Sequence, residues 1–152
     1  MLSYCFETSV GNITAIETDN CITQVFFGKS SSEDVSPLLI ETQKQLDEYF
    51  SGKRQKFALP LTLLGTPFQQ KVWQQLLTIP FGKTVSYQDI ASKINNPKAA
   101  QAVGQAIHHN PIAIIIPCHR VIGKNGTLTG YAGGLNLKQK LLHLENSINK
   151  HF

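Results

Sequence analysis

SYQDIASKINNPKAAQAVGQAIH, residues 86–108, is the stretch on which the fold turns. Ser86 is a good N-cap, and Ile90, Ala91 and Ile94 recur on one side of a short helix. Asn95-Asn96-Pro97 interrupts that helix and offers a fresh N-cap, after which a second helix is expected to run to about His108. Two short helices across a tight turn read as a helix-turn-helix. The second helix carries Ala99, Ala100, Ala102, Gly104 and Ala106. Small side chains let a helix approach a nucleic-acid groove closely, and they equally let it pack against a neighbouring helix, so pattern alone leaves both readings open.

Upstream, Thr66-Pro67-Phe68-Gln69 has the form of a capping box with proline in the first turn, and Phe68, Val72, Trp73 and Leu76 then share a helical face until Pro80-Phe81-Gly82. Residues 2–28 alternate apolar and polar, with turn residues at Gly11-Asn12 and Asp19-Asn20, the pattern of a three-stranded meander. Ser36-Pro37 opens a helix to about Ser51, stopped by Gly52, and residues 52–65 read as a connector. Downstream, Lys124-Asn125-Gly126-Thr127 signals a tight turn, and Asn136 caps a last helix with Leu137, Leu141 and Leu144 on one face. The expected class is α+β. A small N-terminal sheet-and-helix lobe, residues 1–60, packs on a helical domain, residues 66–152, that holds the helix-turn-helix.

The apolar run Ile112–Ile116 reads as a buried strand, and it leads directly into Pro117, Cys118, His119 and Arg120. A thiol is a weak nucleophile until deprotonated; an imidazole takes the proton, and a nearby guanidinium favours thiolate. Neighbours on an extended strand point to opposite faces, so Cys118 and His119 cooperate only if Pro117 forces a turn or a water bridges them. An orienting acid is scarce, because beyond residue 80 only Asp89 and Glu145 are acidic, and Glu145 lies one turn past Leu141. Tyr87 and Tyr131 each offer a phenol, and Gly130, Gly133 and Gly134 a loop whose backbone can approach a ligand. The plain alternatives are core packing for Cys118, Tyr87 and Tyr131 and a turn role for Asn110 before Pro111.

Composition narrows the classes. The net charge of +4 is unevenly spread: residues 1–80 hold six Lys/Arg against eight Asp/Glu, and residues 81–152 hold eight against two, with all five histidines. A basic C-terminal part suits a polyanionic partner or a solvated basic face. No secretory signal pattern or apolar run of membrane-spanning length is evident, and three widely spaced cysteines make a poor disulfide framework. A reducing cytoplasm is expected. No metal-ligand spacing such as CxxC appears.

Ile116-Pro117-Cys118-His119-Arg120-Val121, with Asn110-Pro111 before it, resembles the active-site motif of O6-methylguanine–DNA methyltransferases. So do Gly82-Lys83-Thr84-Val85-Ser86-Tyr87, Asn96-Pro97-Lys98-Ala99-Ala100 and Thr129-Gly130-Tyr131-Ala132-Gly133-Gly134, all in order across about residues 66–147. The resemblance implies a ribonuclease H-like outline for the N-terminal lobe and single-turnover direct-reversal repair by the rest. Cys118 accepts an alkyl group from guanine O6, and also from thymine O4. His119 (through a water) and Glu145 help form the thiolate, Asn110 braces the turn, and Tyr87 acts on the base and on the rotating phosphate. Val121, Tyr131 and Ala132 line the base pocket. Lys98, Ala99, Ala100, Gln101, Ala102 and Gly104 meet duplex DNA, from which the damaged base is flipped through the minor groove.

The resemblance implies no cofactor, no membrane partner, and a monomer near the nucleoid whose clustering on DNA is open. Two departures stand out. Gln101 occupies the position where the family usually carries an arginine that fills the gap left by the flipped nucleotide, and the histidine ligands of a zinc site found in some members have no match, so no structural zinc is expected. The rival readings are a non-catalytic relative that binds alkylated DNA, a helix-turn-helix regulator without enzymatic function, and a cysteine hydrolase.

Overall fold

In a computed structural model of the chain, residues 1–31, 33–123, 126, 128–131 and 133–149 are described, with side chains through Asn146. Lys124, Asn125 and Thr127 of the expected turn, and Ala132, lie outside the described residues. The chain divides into two compact units, Met1–Leu64 with Pro111–Ala113, and Gly65–Asn110 with Ile114–Phe152. The architecture is α+β, a small sheet with one helix in the first unit and a helical second unit.

In the first unit, β1 (Leu2–Thr8), β2 (Gly11–Thr18) and β3 (Cys21–Phe27) form an antiparallel meander. Asp19 and Asn20 take φ of 51° and 63°, the doubly positive pair of a hairpin turn whose twist matches the strands it joins. The other turn falls at Ser9-Val10, earlier than the Gly11-Asn12 expected, because Gly11 already pairs with Thr8 across the ladder. Helix α1 (Pro37–Phe50) is capped by the Ser36 hydroxyl on the Leu39 N–H. It buries Leu39, Leu46 and Tyr49, and Phe6, Ile13, Ala15, Ile22 and Val25 supply the buried side of the sheet. The outer edge of β3 is not left bare: Ile22 bridges to Leu61 and Val25 to Ile112, both parallel. Two short stretches thereby satisfy backbone groups that an open edge exposes.

In the second unit, α2 (Pro67–Leu76) begins at the expected capping box, with Thr66 Oγ1 accepting from Gln69 N–H and Gln69 Oε1 from Thr66 N–H. Buried Trp73 donates its indole N–H to Ala106 O at 2.9 Å, which seats the second helix of the helix-turn-helix on α2. Helix α3 (Tyr87–Lys93) has its own box, Ser86 with Asp89. It ends in a Schellman turn: Asn95 sits at φ 60°, Asn95 N–H reaches Ser92 O, and Asn96 N–H reaches Ala91 O. Asn96 is thus spent closing α3, and its carbonyl then accepts from Ala99 N–H at 2.9 Å. For this reason α4 (Ala100–His108) starts three residues later than the sequence suggests and has no side-chain cap. Val103, Ala106 and Ile107 face the core, so Ala106 leaves the set of small exposed residues.

The run Ile112–Ile116 is buried throughout but is not a strand. Only Ile112 bridges to a strand; Ala113–Ile115 form a turn with Ile114 at φ 70°, a left-handed conformation that a β-branched residue rarely adopts. Pro117, at φ −80° and ψ 64°, makes an inverse γ-turn in which Cys118 N–H reaches Ile116 O at 2.7 Å. Cys118–Arg120 then wind one turn of 3-10 helix, followed by β5 (Val121–Ile122), which pairs in parallel with β4 (Val85–Ser86). Burial of the run dominates over its strand propensity because the chain doubles back to return Cys118 to Asn110. Helix α5 (Leu135–Asn149) starts before Asn136, which lies inside its first turn rather than capping it. Leu141 is buried on α5, whereas Leu137 and Leu144 are half-buried.

Candidate active site

Asn110 directly follows α4, and its side-chain amide closes the turn just described. Asn110 Nδ2 donates to Ile116 O at 2.9 Å and lies 3.1 Å from Cys118 Sγ. One amide therefore fixes both the backbone of the turn and the sulfur at its end. On the 3-10 turn, Cys118, His119 and Arg120 are all buried, and their side chains diverge by about 120° per residue rather than alternating across a strand.

His119 and Arg120 converge on Glu145. His119 Nε2 lies 2.6 Å from Glu145 Oε2, Arg120 grips both carboxylate oxygens (Nε–Oε1 2.9 Å, Nη2–Oε2 3.1 Å), and Gly82 N–H donates to Oε1 at 3.1 Å. Arg120 Nη1 also donates to Ile79 O at 2.8 Å, and its guanidinium lies 5.7 Å from the Phe81 ring centre. Burial alone pushes the Glu145 carboxyl up, but the His119 hydrogen bond and charge, with Arg120, outweigh it and bring the pKa to about 2. An ionised carboxylate only accepts, so His119 Nε2 carries the proton and Nδ1 is the basic atom. Nδ1 is buried and has no hydrogen-bond partner among the described residues. Burial holds the imidazole below its usual range, against the pull of Glu145, and it holds the Cys118 thiol above its own, against Asn110 and Lys138. The resting pair is a thiol beside a neutral base.

These shifts predict an acid-sensitive fold. The unfolded chain protonates Glu145 near the ordinary carboxylate value of 4.5 and His119 near 6.5, whereas the folded chain resists both. Stability is therefore full at neutral pH, begins to fall below about pH 6.5 and falls further from pH 4.5 towards 2, with a Glu145 share on the order of 3 kcal/mol. Urea unfolding midpoints across pH 3 to 7 check this, and a flat profile contradicts it.

The sequence overlooked Lys138. Its side chain is buried, with Nζ donating to Val121 O at 2.7 Å and Thr129 O at 3.0 Å. Burial lowers its pKa, and attraction to Cys118 opposes that shift, so a cation sits within electrostatic reach of the sulfur. The signal was present: Lys138 and Glu145 stand seven residues apart on the face of α5 that holds Leu141. Val121 is fully buried beside this clamp. Tyr131 meets His119 edge-on at 6.4 Å between ring centres, and Tyr87 Oη is 2.5 Å from Thr129 Oγ1. Tyr87 is thus linked to Lys138 through Thr129 and makes no described bond to Cys118.

Lys98, Ala99, Ala100, Gln101, Ala102 and Gly104 form a separate surface on α4 and the turn before it. Lys98, Gln101 and Ala102 are exposed, and Ala99, Ala100 and Gly104 half-buried. Lys98 and Ala99 precede the helix, contrary to the expected start at Pro97. A β-carbon on Gly104 would lie 3.8 Å from the Tyr87 ring, so the fold itself does not demand glycine there. Among the described residues, no group of three or more His, Cys, Asp or Glu is placed to hold a metal ion, and no helix is long and apolar enough to cross a membrane.

Helix α4 runs through one asparagine onto a buried cysteine, so a helix-turn-helix and a buried thiol share one unit. Residues 67–147 match the family model described as 6-O-methylguanine DNA methyltransferase, DNA binding domain, and residues 1–63 match the ribonuclease-like domain of the same name. The chain belongs to the 6-O-methylguanine DNA methyltransferase family. It is 46% identical over 151 residues to the constitutive methylated-DNA–protein-cysteine methyltransferase of Bacillus subtilis, covering 91% of this chain and 92% of that one. The methylated-DNA–protein-cysteine methyltransferase of Methanosarcina acetivorans is 45% identical over 150 residues, covering 93% and 96%. Among solved structures, Mycobacterium tuberculosis OGT in complex with DNA superposes with a TM-score of 0.91 at 43% identity, covering 97% of this chain and 94% of that one.

Proposed function

We propose that this protein repairs DNA by moving the alkyl group of O6-alkylguanine onto its own Cys118, once per molecule. The observation that carries this reading is the Asn110–Cys118 contact beside the His119–Glu145–Arg120 cluster, in the unit that holds the helix-turn-helix. The thiol proton passes through a water to His119 Nδ1, and Glu145 steadies the imidazolium. Asn110 and Lys138 steady the thiolate. Sulfur attacks the alkyl carbon; the S–C bond forms as the C–O6 bond breaks, and the guanine leaves with the electron pair and takes up the proton. A thioether has no easy hydrolytic exit, so Cys118 is consumed, and the chemistry calls for no cofactor. Thymine O4 is a second acceptable alkyl donor.

A buried thiol reaches its target only if the base leaves the stack, which costs a few kcal/mol and least for a damaged base. Lys98 steers the phosphate backbone, while Ala99, Ala100, Ala102 and Gly104 allow close approach in the minor groove. Tyr87 acts on the extruded nucleotide, and Val121 and Tyr131 line its pocket. The family resemblance and the absence of a disulfide among Cys5, Cys21 and Cys118 favour a cytoplasmic monomer at the nucleoid. Incubation with duplex DNA carrying a labelled methyl on guanine O6 tests the reading: label on the protein supports it, and label that stays on DNA or is released as a small product contradicts it.

Gln101 is exposed on α4 and can hydrogen-bond an orphaned base, but it lacks the charge and planar fork of arginine. Gln101→Arg should tighten binding to damaged duplex and speed transfer severalfold. Unchanged affinity and single-turnover rate contradict this.

A further inference from the structure

Arg120 is more than a strut. A buried carboxylate 2.6 Å from an imidazole ordinarily draws a proton onto the ring, leaving an imidazolium with no lone pair to offer. Here Arg120 spans the same carboxylate through both oxygens, Gly82 N–H adds a further donor, and the guanidinium is itself anchored on Ile79 O. The carboxylate's charge is matched before His119 takes its share. Its preferred acceptor directions are occupied, so it orients the ring without competing for the ring's proton.

We propose that Arg120 is a positioning residue that keeps His119 a neutral base at physiological pH and so sets the pH at which Cys118 becomes reactive. The proposal rests on the alkyl-transfer reading for its reaction, but the state of His119 can be read without DNA. Among the described residues, the groups that act on His119 are Glu145 and Lys138 from α5, Arg120 from the 3-10 turn, and Tyr131 from the loop before α5. Burial works most strongly against protonation of the ring, Glu145 works for it, and Arg120 and Lys138 side with burial. Of the two cations, only Arg120 is hydrogen-bonded to Glu145. Removing it withdraws a positive charge from beside the imidazole and frees the carboxylate to pull harder on the ring, so His119 holds its proton to higher pH.

Two measurements test this. Single-turnover methyl transfer is followed from pH 5 to 9.5 in the unaltered protein, Arg120→Met and Arg120→Lys. The expected result is an acidic limb displaced upward by about one unit or more in Arg120→Met, a roughly tenfold loss at the wild-type midpoint that is recovered at alkaline pH. Arg120→Lys, which keeps the charge and loses the fork, should fall between. A uniform loss at every pH with the limb in place is what a purely structural role gives, and it overturns the proposal. 15N NMR titration of His119 in the unaltered protein and in Arg120→Lys reads the ring without DNA. A ring neutral and protonated on Nε2 at pH 7 in the first, with a higher midpoint in the second, supports the proposal, and an imidazolium in the first or the same midpoint in both overturns it. Failure of methyl transfer in the unaltered protein, with His119 neutral, defeats the repair reading and leaves the role of Arg120 standing.

Discussion

Glu145→Gln is expected to cost 3–5 kcal/mol of stability and to lower the transfer rate by at least about 100-fold. The carboxylate accepts from Arg120 twice, from His119 and from Gly82. A carboxamide keeps the shape but replaces one acceptor with an NH2 group. Whichever way it flips, that NH2 faces two N–H donors: Arg120 Nε and Gly82 N at one oxygen position, Arg120 Nη2 and His119 Nε2 at the other. One donor is left unsatisfied if His119 changes tautomer to accept from the NH2 and two otherwise, and the buried guanidinium loses its counter-charge. The imidazolium formed during thiol activation loses its partner as well. Urea midpoints and single-turnover rates at 15 °C, where the variant remains folded, separate the two effects; a variant within 1 kcal/mol of the unaltered protein contradicts this picture.

Asn110→Asp should slow transfer by on the order of 100-fold while leaving most of the stability intact. The substitution exchanges a donor 3.1 Å from Sγ for a group that carries negative charge, which raises the thiol pKa when the reaction needs it lower. Ile116 O loses the Asn110 bond but keeps the Cys118 N–H at 2.7 Å, so the turn retains one of its two closures. Asn110→Ala, which removes the donor without adding charge, should lose about tenfold. Equal losses in the two variants assign Asn110 to bracing the turn alone.

Caps were the most legible part of this chain. Ser36, Thr66 and Ser86 each begin a helix by bonding a backbone N–H three residues on, and that chemistry is complete within four residues of sequence. Where tertiary demands took precedence, local patterns misled. Asn96 looks like an N-cap, but Asn95 at positive φ draws it into the end of α3. Five apolar residues at 112–116 look like a strand, yet their burial is achieved in a turn around the left-handed Ile114. Of the two ways offered for Cys118 and His119 to cooperate, a turn forced by Pro117 or a bridging water, the turn is present at Pro117. Cys118, His119 and Asn110 were legible as a motif, and Glu145 as a scarce acid near an apolar stripe. Lys138 was marked only by sharing a helical face with Leu141 and Glu145, and a lysine on an amphipathic helix ordinarily reaches solvent; its burial depends on two carbonyls, Val121 and Thr129, that no sequence pattern marks.

Intact-protein and peptide mass spectrometry after mixing with duplex DNA that holds one O6-methylguanine tests the central claim most directly. Alkyl transfer to Cys118 predicts a gain of one methylene's mass, about 14 Da, on the peptide containing Cys118, at most one per molecule, and none in Cys118→Ala. Methyl on Cys5 or Cys21 instead, or loss of methyl from DNA with Cys118 unmodified, would contradict it.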